Sequence, residues 1–362
     1  MKAPRDLSLD AFRGVDVLLM VLVNLQGAGT AFGLLKHAEW NGLTLADLVF
    51  PWFLLMVGLS LPLALDKART SGAALWPAIM RRTLLLFAIG VLLGWLIRPT
   101  LDMGDIRWTG VLQRIAIVYG LCAAIVMVRK GAGFSAALAA LILLAHSLLL
   151  LKVGTPDGSP PSLAAGEGLA GWLDQHILPG RAHRGTWDPE GLLSTLPSIA
   201  SGLIGVAVMQ LIRARGLQKQ TGTLAVLGVI LIAIGMALTP ILPLNKNLWT
   251  ASFTLVTAGM GLLVWATLRA TWLRIEQSAA ARLTVMLGQT ALTFYILHML
   301  LIALLVRMVP GTGETLWALL YNQLAATGLP PPLAALLFSL VTGGLFCAAM
   351  PLLKRKGWVL KL

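Results

Sequence analysis

Apolar residues run through this chain in blocks of about 20, the length that crosses the hydrocarbon core of a bilayer as a helix. The blocks predict spans near residues 9–28, 46–65, 83–98, 110–128, 132–151, 191–212, 221–242, 248–268, 284–308 and 331–353. Ten spans put both termini on one side. A shorter apolar segment, Thr315 to Thr327, reads as a surface or re-entrant helix before the last span. The expected fold is all-α, a polytopic bundle forming a single domain over residues 1–362.

The stretch from Ser8 to Ser60 breaks the apolar pattern most sharply. It holds Asp10, Arg13, Asp16, Asn24, His37, Glu39, Asn41 and Asp47 in or beside two spans. Ionisable groups at such depth are costly, so each needs a partner, a wet cavity or a task. In the first span Asp10, Arg13, Asp16 or Val17, Met20 and Asn24 follow steps of three or four and share one face. A structural Asp10/Arg13 pair accounts for those two charges but leaves Asn24 unexplained.

Composition agrees with the membrane assignment: hydrophobic residues are 57% of 362 and charged residues 12%, with mean hydropathy +0.83. A soluble chain carries about twice that charged fraction. The net charge of +13 is spread over short connections, which argues for topology and against nucleic acid. With the N-terminus in the cytoplasm, 18 of the 28 Lys and Arg residues fall on that face and eight opposite, Arg13 and Arg114 lying within spans. That bias predicts N-in and C-in. The loop bearing His37 and the long connection from Lys152 to Glu190 are then extracytoplasmic. The opening MKAPRDLSLD lacks the pattern of a cleaved signal, so the first span is expected to stay. Cys122 and Cys347 sit in apolar runs and read as packing residues.

Other spans bring polar groups to the same outer level. RWTGVLQRIAIVY places Gln113 and Arg114 about one turn inside; WDPEGLLSTLPSIASGL opens on Asp188 and Glu190. The two acids at a helix start would also favour the helix dipole, which is the plain alternative for both. PLNKNLWTASF contributes Asn245, Lys246 and Asn247, and GQTALTFYILH buries His298. His298 serves equally well as a satisfied interhelical histidine. His146 reads as structural, and His176 and His183 receive no role. Gly58, Gly90, Gly94, Gly202, Gly205, Gly259 and Gly261 read as close-packing positions. No metal-ligand spacing, phosphate loop or dinucleotide fingerprint is found.

The motifs SLDAFRG, HAEWNGLTLADLVFPWF, GVLQRIAIVY, WDPEGLLSTLPSIA, PLNKNLWTASF and GQTALTFYILH resemble, in this order, the transmembrane acetyltransferase family typified by heparan-alpha-glucosaminide N-acetyltransferase. The resemblance runs from Ser8 to His298. It implies a multispan helical protein, typically dimeric, that uses cytosolic acetyl-CoA to acetylate an amino sugar across the membrane. The family's catalytic histidine falls on His37, and the asparagine implicated beside it falls on Asn24. The chain departs from the family at Gln289, where Asn is usual. It also lacks the large luminal domain of the animal enzyme, so the expected acceptor is glucosamine, a short chitin-derived oligosaccharide or a deacetylated peptidoglycan fragment. A bacterial inner membrane is the expected location, the His37 loop facing the periplasm.

The chemistry suits this implication. A protonated amine must shed a proton before attacking a thioester, and histidine is the side chain whose ordinary pKa fits that task. Asn24 would stabilise the oxyanion, an effect on the order of 3 kcal/mol, and an acetyl-histidine intermediate is an open variant. Glu39 or Asp47 is expected to hold the second imidazole nitrogen. Acceptor contacts are expected from Glu39, Trp40, Asn41, Asp47, Arg114, Asp188, Glu190, Asn245, Lys246, Asn247 and His298. Without the resemblance, His37 would read as a loop histidine packed on Trp40.

Donor phosphates are assigned to Arg13, Arg81 and Arg82, of which Arg81 and Arg82 individually fit the positive-inside signal better. A pantetheine arm about 15 to 20 Å long would reach from an inner phosphate site toward the outer third of the bilayer core. Two rival readings remain: an O-acetyltransferase acting on an envelope polysaccharide, and an amino-sugar transporter, which would show inverted repeats that this sequence does not display.

Overall fold

The computed structural model describes residues 6–26, 31–70, 74–216 and 220–360. The glycine-rich connection 27–30 and Lys2, Arg5, Lys219 and Lys361 of the charge count lie outside the described residues. Thirteen α-helices occur among the described residues: α1 (Leu7–Asn24), α2 (Val49–Thr70), α3 (Leu75–Ile97), α4 (Val111–Val128), α5 (Ala132–Lys152), α6 (Gly168–His176), α7 (Leu192–Ala214), α8 (Thr221–Leu238), α9 (Ala251–Ile275), α10 (Ala279–Gln289), α11 (Ala291–Leu305), α12 (Leu316–Ala325) and α13 (Pro331–Arg355). No strand forms among them, only two isolated bridges. The protein is an all-helical, polytopic integral membrane protein.

Eight helices are long and apolar enough to cross a membrane, and the pair α10 and α11 makes a ninth if counted as one span. α1 has the length too, but carries Asp10, Arg13 and Asp16 among its 18 residues. These ten units match the ten predicted apolar blocks. α6 and α12 are short helices in connections, and α12 covers the apolar segment after Thr315.

Two elements differ from the expected boundaries. α3 begins at Leu75, eight residues before the expected start, because Arg81 and Arg82 interrupt the apolar run without ending the helix. Arg82 turns inward and stacks on Tyr119, with 4.6 Å from its guanidinium carbon to the ring centroid. The ninth span is not one rod: α10 and α11 meet at 80°. The break follows Gly288, where a Cβ would sit 1.8 Å from the Asp10 carbonyl oxygen of α1. α10 therefore lies flush against α1, and the chain must turn at Thr290 to enter α11.

α7 is the centre of the bundle, with 83% of its apolar stretch buried, while α8 at the periphery has 17%. An apolar all-round helix at the centre and lipid-facing helices outside are what a bilayer solvent demands. The α2–α7 crossing depends on glycine, since a Cβ on Gly58 would stand 1.9 Å from the Gly202 carbonyl oxygen. Gly94 is the exception among the expected packing glycines: nothing lies within 4 Å of its Cβ position. Cys122 is buried against α7, its Sγ 3.8 Å from the Ile199 carbonyl, and Cys347 is half-buried.

Arg13 fastens α1 to its neighbours. It donates to Asp10 Oδ1 at 3.1 Å, to Ser60 Oγ of α2 at 2.6 Å and to the Gly288 carbonyl at 3.4 Å. Asp16, one turn along, is fully buried, and its carboxyl oxygens have no hydrogen-bond partner among the described atoms.

Candidate functional site

The segment from His37 to α2 is organised by one carboxylate. Thr44 caps a single 3₁₀ turn, Leu45–Leu48, and Asp47 closes the capping box from inside that turn. Asp47 Oδ2 accepts from the Thr44 amide at 3.1 Å, the Thr44 hydroxyl at 3.0 Å and the Ala38 amide at 3.1 Å. Its other oxygen, Oδ1, lies 2.8 Å from His37 Nδ1. Asp47 is 1% exposed, while the His37 side chain is 51% exposed. A carboxylate accepts and does not donate, so in this contact Nδ1 is the donor. Of the two acids expected to orient His37, Asp47 occupies the position. Glu39 is exposed.

A second loop carries Lys246 to the same imidazole. Asn245 is buried and accepts from the Leu248 amide at 2.8 Å, shaping the turn before α9. Its amide donates to Asn41 Oδ1 at 3.0 Å, and the Gly42 amide donates to the Leu244 carbonyl at 2.8 Å. These two links bind the loops to each other. They set Lys246 Nζ 3.0 Å from His37 Nδ1, 3.4 Å from Nε2 and 3.5 Å from Asp47 Oδ1. Burial pushes the Lys246 amine below its ordinary pKa, and the Asp47 carboxylate partly offsets this. A carboxylate, an imidazole and an amine thus stand in mutual contact.

His37 opens onto a cavity of ≈ 420 Å³ that passes between α1, α2, α3, α4 and α11. Asn24, at the end of α1, lines it together with Glu39, Asp47, Lys246, Asn247 and Glu190. Deeper, the walls are Met20, Val57, Leu86, Ile115, Tyr119 and Arg82. Polar groups therefore gather at one end and apolar side chains at the other, with Arg82 as the charged group of the deep end.

A second charged centre forms part of the cavity wall. Arg107 grips Asp188 with two parallel bonds, Nε to Oδ2 at 2.8 Å and Nη2 to Oδ1 at 2.6 Å, and reaches Glu190 Oε2 at 2.5 Å. Asp188 also accepts from the His183 and Glu190 amides at 2.8 and 2.9 Å. Burial alone would raise the Asp188 pKa, but the Arg107 hydrogen bond and charge outweigh it and hold the carboxyl at about 2. Asp174 of α6 accepts from the Asp188 and Leu192 amides, each at 3.0 Å, and so caps the start of α7. Burial pushes its own pKa up.

The expected site residues thus divide. Asn24, His37, Glu39, Asp47, Arg82, Glu190, Lys246 and Asn247 line one cavity. Asn41 and Asn245 tie loops together, and Trp40 donates to the Leu163 carbonyl at 2.8 Å while packing edge-on to Trp187. Asp188 is saturated by its own scaffold. Arg114 is buried, donates to the Gly191 carbonyl at 3.0 Å and Ser194 Oγ at 2.6 Å, and lies over Trp249. His298 is buried away from the cavity, with neither ring nitrogen hydrogen-bonded among the described atoms. Arg13 is engaged by Asp10 and Ser60, and Arg81 is exposed. Sequence reasoning missed Arg107, Tyr119 and Trp187 of the lining. Arg107 was legible only as a basic residue in a short loop facing an Asp and a Glu 81 and 83 positions away. Among the described residues no group of three His, Cys, Asp or Glu is disposed to hold a metal ion.

The family description "Heparan-alpha-glucosaminide N-acetyltransferase, catalytic" matches residues 5–159, the part that carries Asn24, His37, Asp47 and Arg82. Heparan-alpha-glucosaminide N-acetyltransferase of Homo sapiens is 30% identical over 315 residues, covering 69% of this chain and 46% of that protein. The chain is similar to this protein over the matched part. The Mus musculus counterpart is 28% identical over 306 residues, 68% of this chain and 46% of its own length. The chain spans about half the length of the curated relatives it matches. The matched residues 5–159 include the cavity lining from α1 to α4.

Proposed function

We propose that this protein is a transmembrane N-acetyltransferase that moves the acetyl group of cytosolic acetyl-CoA to the amine of a glucosamine-type sugar on the other side of the membrane. The observation that carries the reading is the Asp47–His37 hydrogen bond at the mouth of a cavity that continues into the bundle. The name of the similar human and mouse proteins supplies the reaction class. On this reading residues 1–362 act as one domain with both termini cytoplasmic, and His37 faces the periplasm of a bacterial inner membrane.

The steps follow from the groups present. The acceptor enters as an ammonium, gives one proton to His37 Nε2 and attacks the thioester carbonyl as a free amine. Asp47 stabilises the imidazolium that results and holds its orientation. The Asn24 amide and the Lys246 amine stand on the cavity wall to meet the negative charge on the former carbonyl oxygen. Collapse of the intermediate expels the thiolate, which takes the proton from His37 and leaves as the thiol; the freed Nε2 then accepts the second proton from the former amine nitrogen, leaving the neutral amide, and passes it to solvent. If His37 Nε2 attacks first, the acetyl group rests on the imidazole before the amine takes it.

Acetyl transfer from labelled acetyl-CoA to glucosamine by the purified protein tests this directly. Transfer that disappears in His37→Ala supports it. Absence of transfer together with tight acetyl-CoA binding redirects the search to another acceptor, including hydroxyl groups. Neither binding nor transfer overturns it.

A further inference from the structure

Arg82 is costly where it stands, and the remainder of the site gives it nothing to do. It lies within a membrane-spanning helix, lines the His37 cavity, and stacks on Tyr119 at 4.6 Å. Its Nε is buried with no hydrogen-bond partner among the described atoms. The acidic residues of the cavity, Glu39, Asp47 and Glu190, belong to the loops and the 3₁₀ turn at the His37 end, and no described carboxylate forms an ion pair with Arg82. Neighbouring Arg81 is exposed, and Arg13 and Arg107 are engaged by Asp10 and Asp188. An arginine kept at this depth with an aromatic face but without an anion marks a place where an anion arrives.

The depth says what kind of anion. Val111 and Tyr119 both line the cavity from α4, and eight residues of helix separate them by about 12 Å. Leu86, Val57 and Ile115 wall the space between. A ligand filling it has a reactive group near His37, an extended and largely apolar middle, and a negative terminus one to two nanometres away. We propose that Arg82 and Tyr119 form a phosphate subsite for the acyl donor, which seats the phosphate end of its phosphopantetheine arm there and presents the thioester to His37. The inference rests on the acetyl-CoA reading and adds to it that the nucleotide lies beyond the cavity, so that recognition inside the bundle ends at the phosphate. Arginine offers a phosphate two parallel donors, which sets it apart from a diffuse inner-face charge.

The test compares S-acetylpantetheine 4′-phosphate with S-acetylpantetheine on the wild-type protein and on Arg82→Gln. Loss of the phosphate is expected to weaken binding of the wild type about tenfold or more. Arg82→Gln is expected to bind the phosphorylated donor as weakly as the wild type binds the other, and to ignore the phosphate. A variant that still discriminates as the wild type does overturns the subsite. A second arm needs no donor and no variant: phenylglyoxal modification of wild-type Arg82, mapped by peptide mass spectrometry, is expected to slow in inorganic pyrophosphate. Unchanged modification while acetyl-CoA is turned over sinks the subsite and leaves the acetyltransferase standing. Protection of Arg82 in a protein that uses no acetyl donor supports the anion site and sinks the donor reading.

Discussion

Two charged centres sit side by side at one end of the bundle, and they are built to opposite specifications. In one, His37 is 51% exposed beside a buried Asp47, and the imidazole is reached by Lys246 across 3.0 Å. In the other, Asp188 is wholly buried, and its oxygens are taken by Arg107 and by two backbone amides. The first leaves a half-exposed imidazole on the cavity wall; the second leaves little acceptor capacity unused. A group meant to react keeps a free valence, and a group meant to hold loops together spends all of its hydrogen-bonding capacity. A buried aspartate anchors both centres, and the two serve different ends.

Substitutions should separate the centres by what they change. His37→Ala is expected to reduce acetyl transfer by about 10²–10⁴-fold with the unfolding temperature unchanged, since the imidazole is half in solvent. A large fall in thermal stability would mean that His37 belongs with the scaffold. Arg107→Ala is expected to cost about 3–5 kcal/mol of stability, because it leaves a buried carboxylate without its cation. Thermal unfolding in detergent measures it, and a variant with wild-type stability and lost transfer would move Arg107 into the reacting centre.

Acid should weaken this scaffold. The Asp188 carboxyl is held at about 2 in the folded protein, against about 3.9 for an unfolded aspartate. The unfolded chain therefore takes up the proton first as pH falls. The stabilisation from this group, about 2 kcal/mol, is complete above about pH 4 and is lost toward pH 2. Asp174, whose pKa burial raises, contributes in the opposite sense and softens the slope. Unfolding temperatures at pH 5, 4 and 3 should decline, and in Asp188→Asn that part of the decline should be absent. The smallest effect belongs to Glu39→Gln: the side chain is exposed and Asp47 already orients His37, so transfer should change by about twofold at most. A tenfold loss would give Glu39 a direct contact with the acceptor.

The ten spans were legible because a bilayer asks only for length and apolarity, both linear properties of the chain. The places where this reading slipped are those where tertiary contact decided the local outcome. Arg81 and Arg82 look like the end of a span, yet the helix runs six residues before them because Arg82 finds Tyr119. The ninth block is continuous in hydropathy, yet it turns 80° where Gly288 meets α1. Gly94 resembles the packing glycines in sequence but faces open space.

By itself the sequence determined that this is a helical membrane protein, that polar groups from several spans meet at one level, and that His37 and Asn24 stand at the heart of the recognisable motifs. Tertiary structure decided which of those polar groups share a cavity. Asp47 rather than Glu39 holds His37 because it sits inside a capped turn that aims it back along the chain. Asn41 and Asn245 fasten the loops that deliver Lys246, while the Asp188 carboxylate is taken up by the scaffold and Arg114 is buried against the start of α7. Hydropathy is summed along a chain, but a hydrogen bond depends on distance and direction between groups that can lie more than two hundred residues apart, and only folding supplies those.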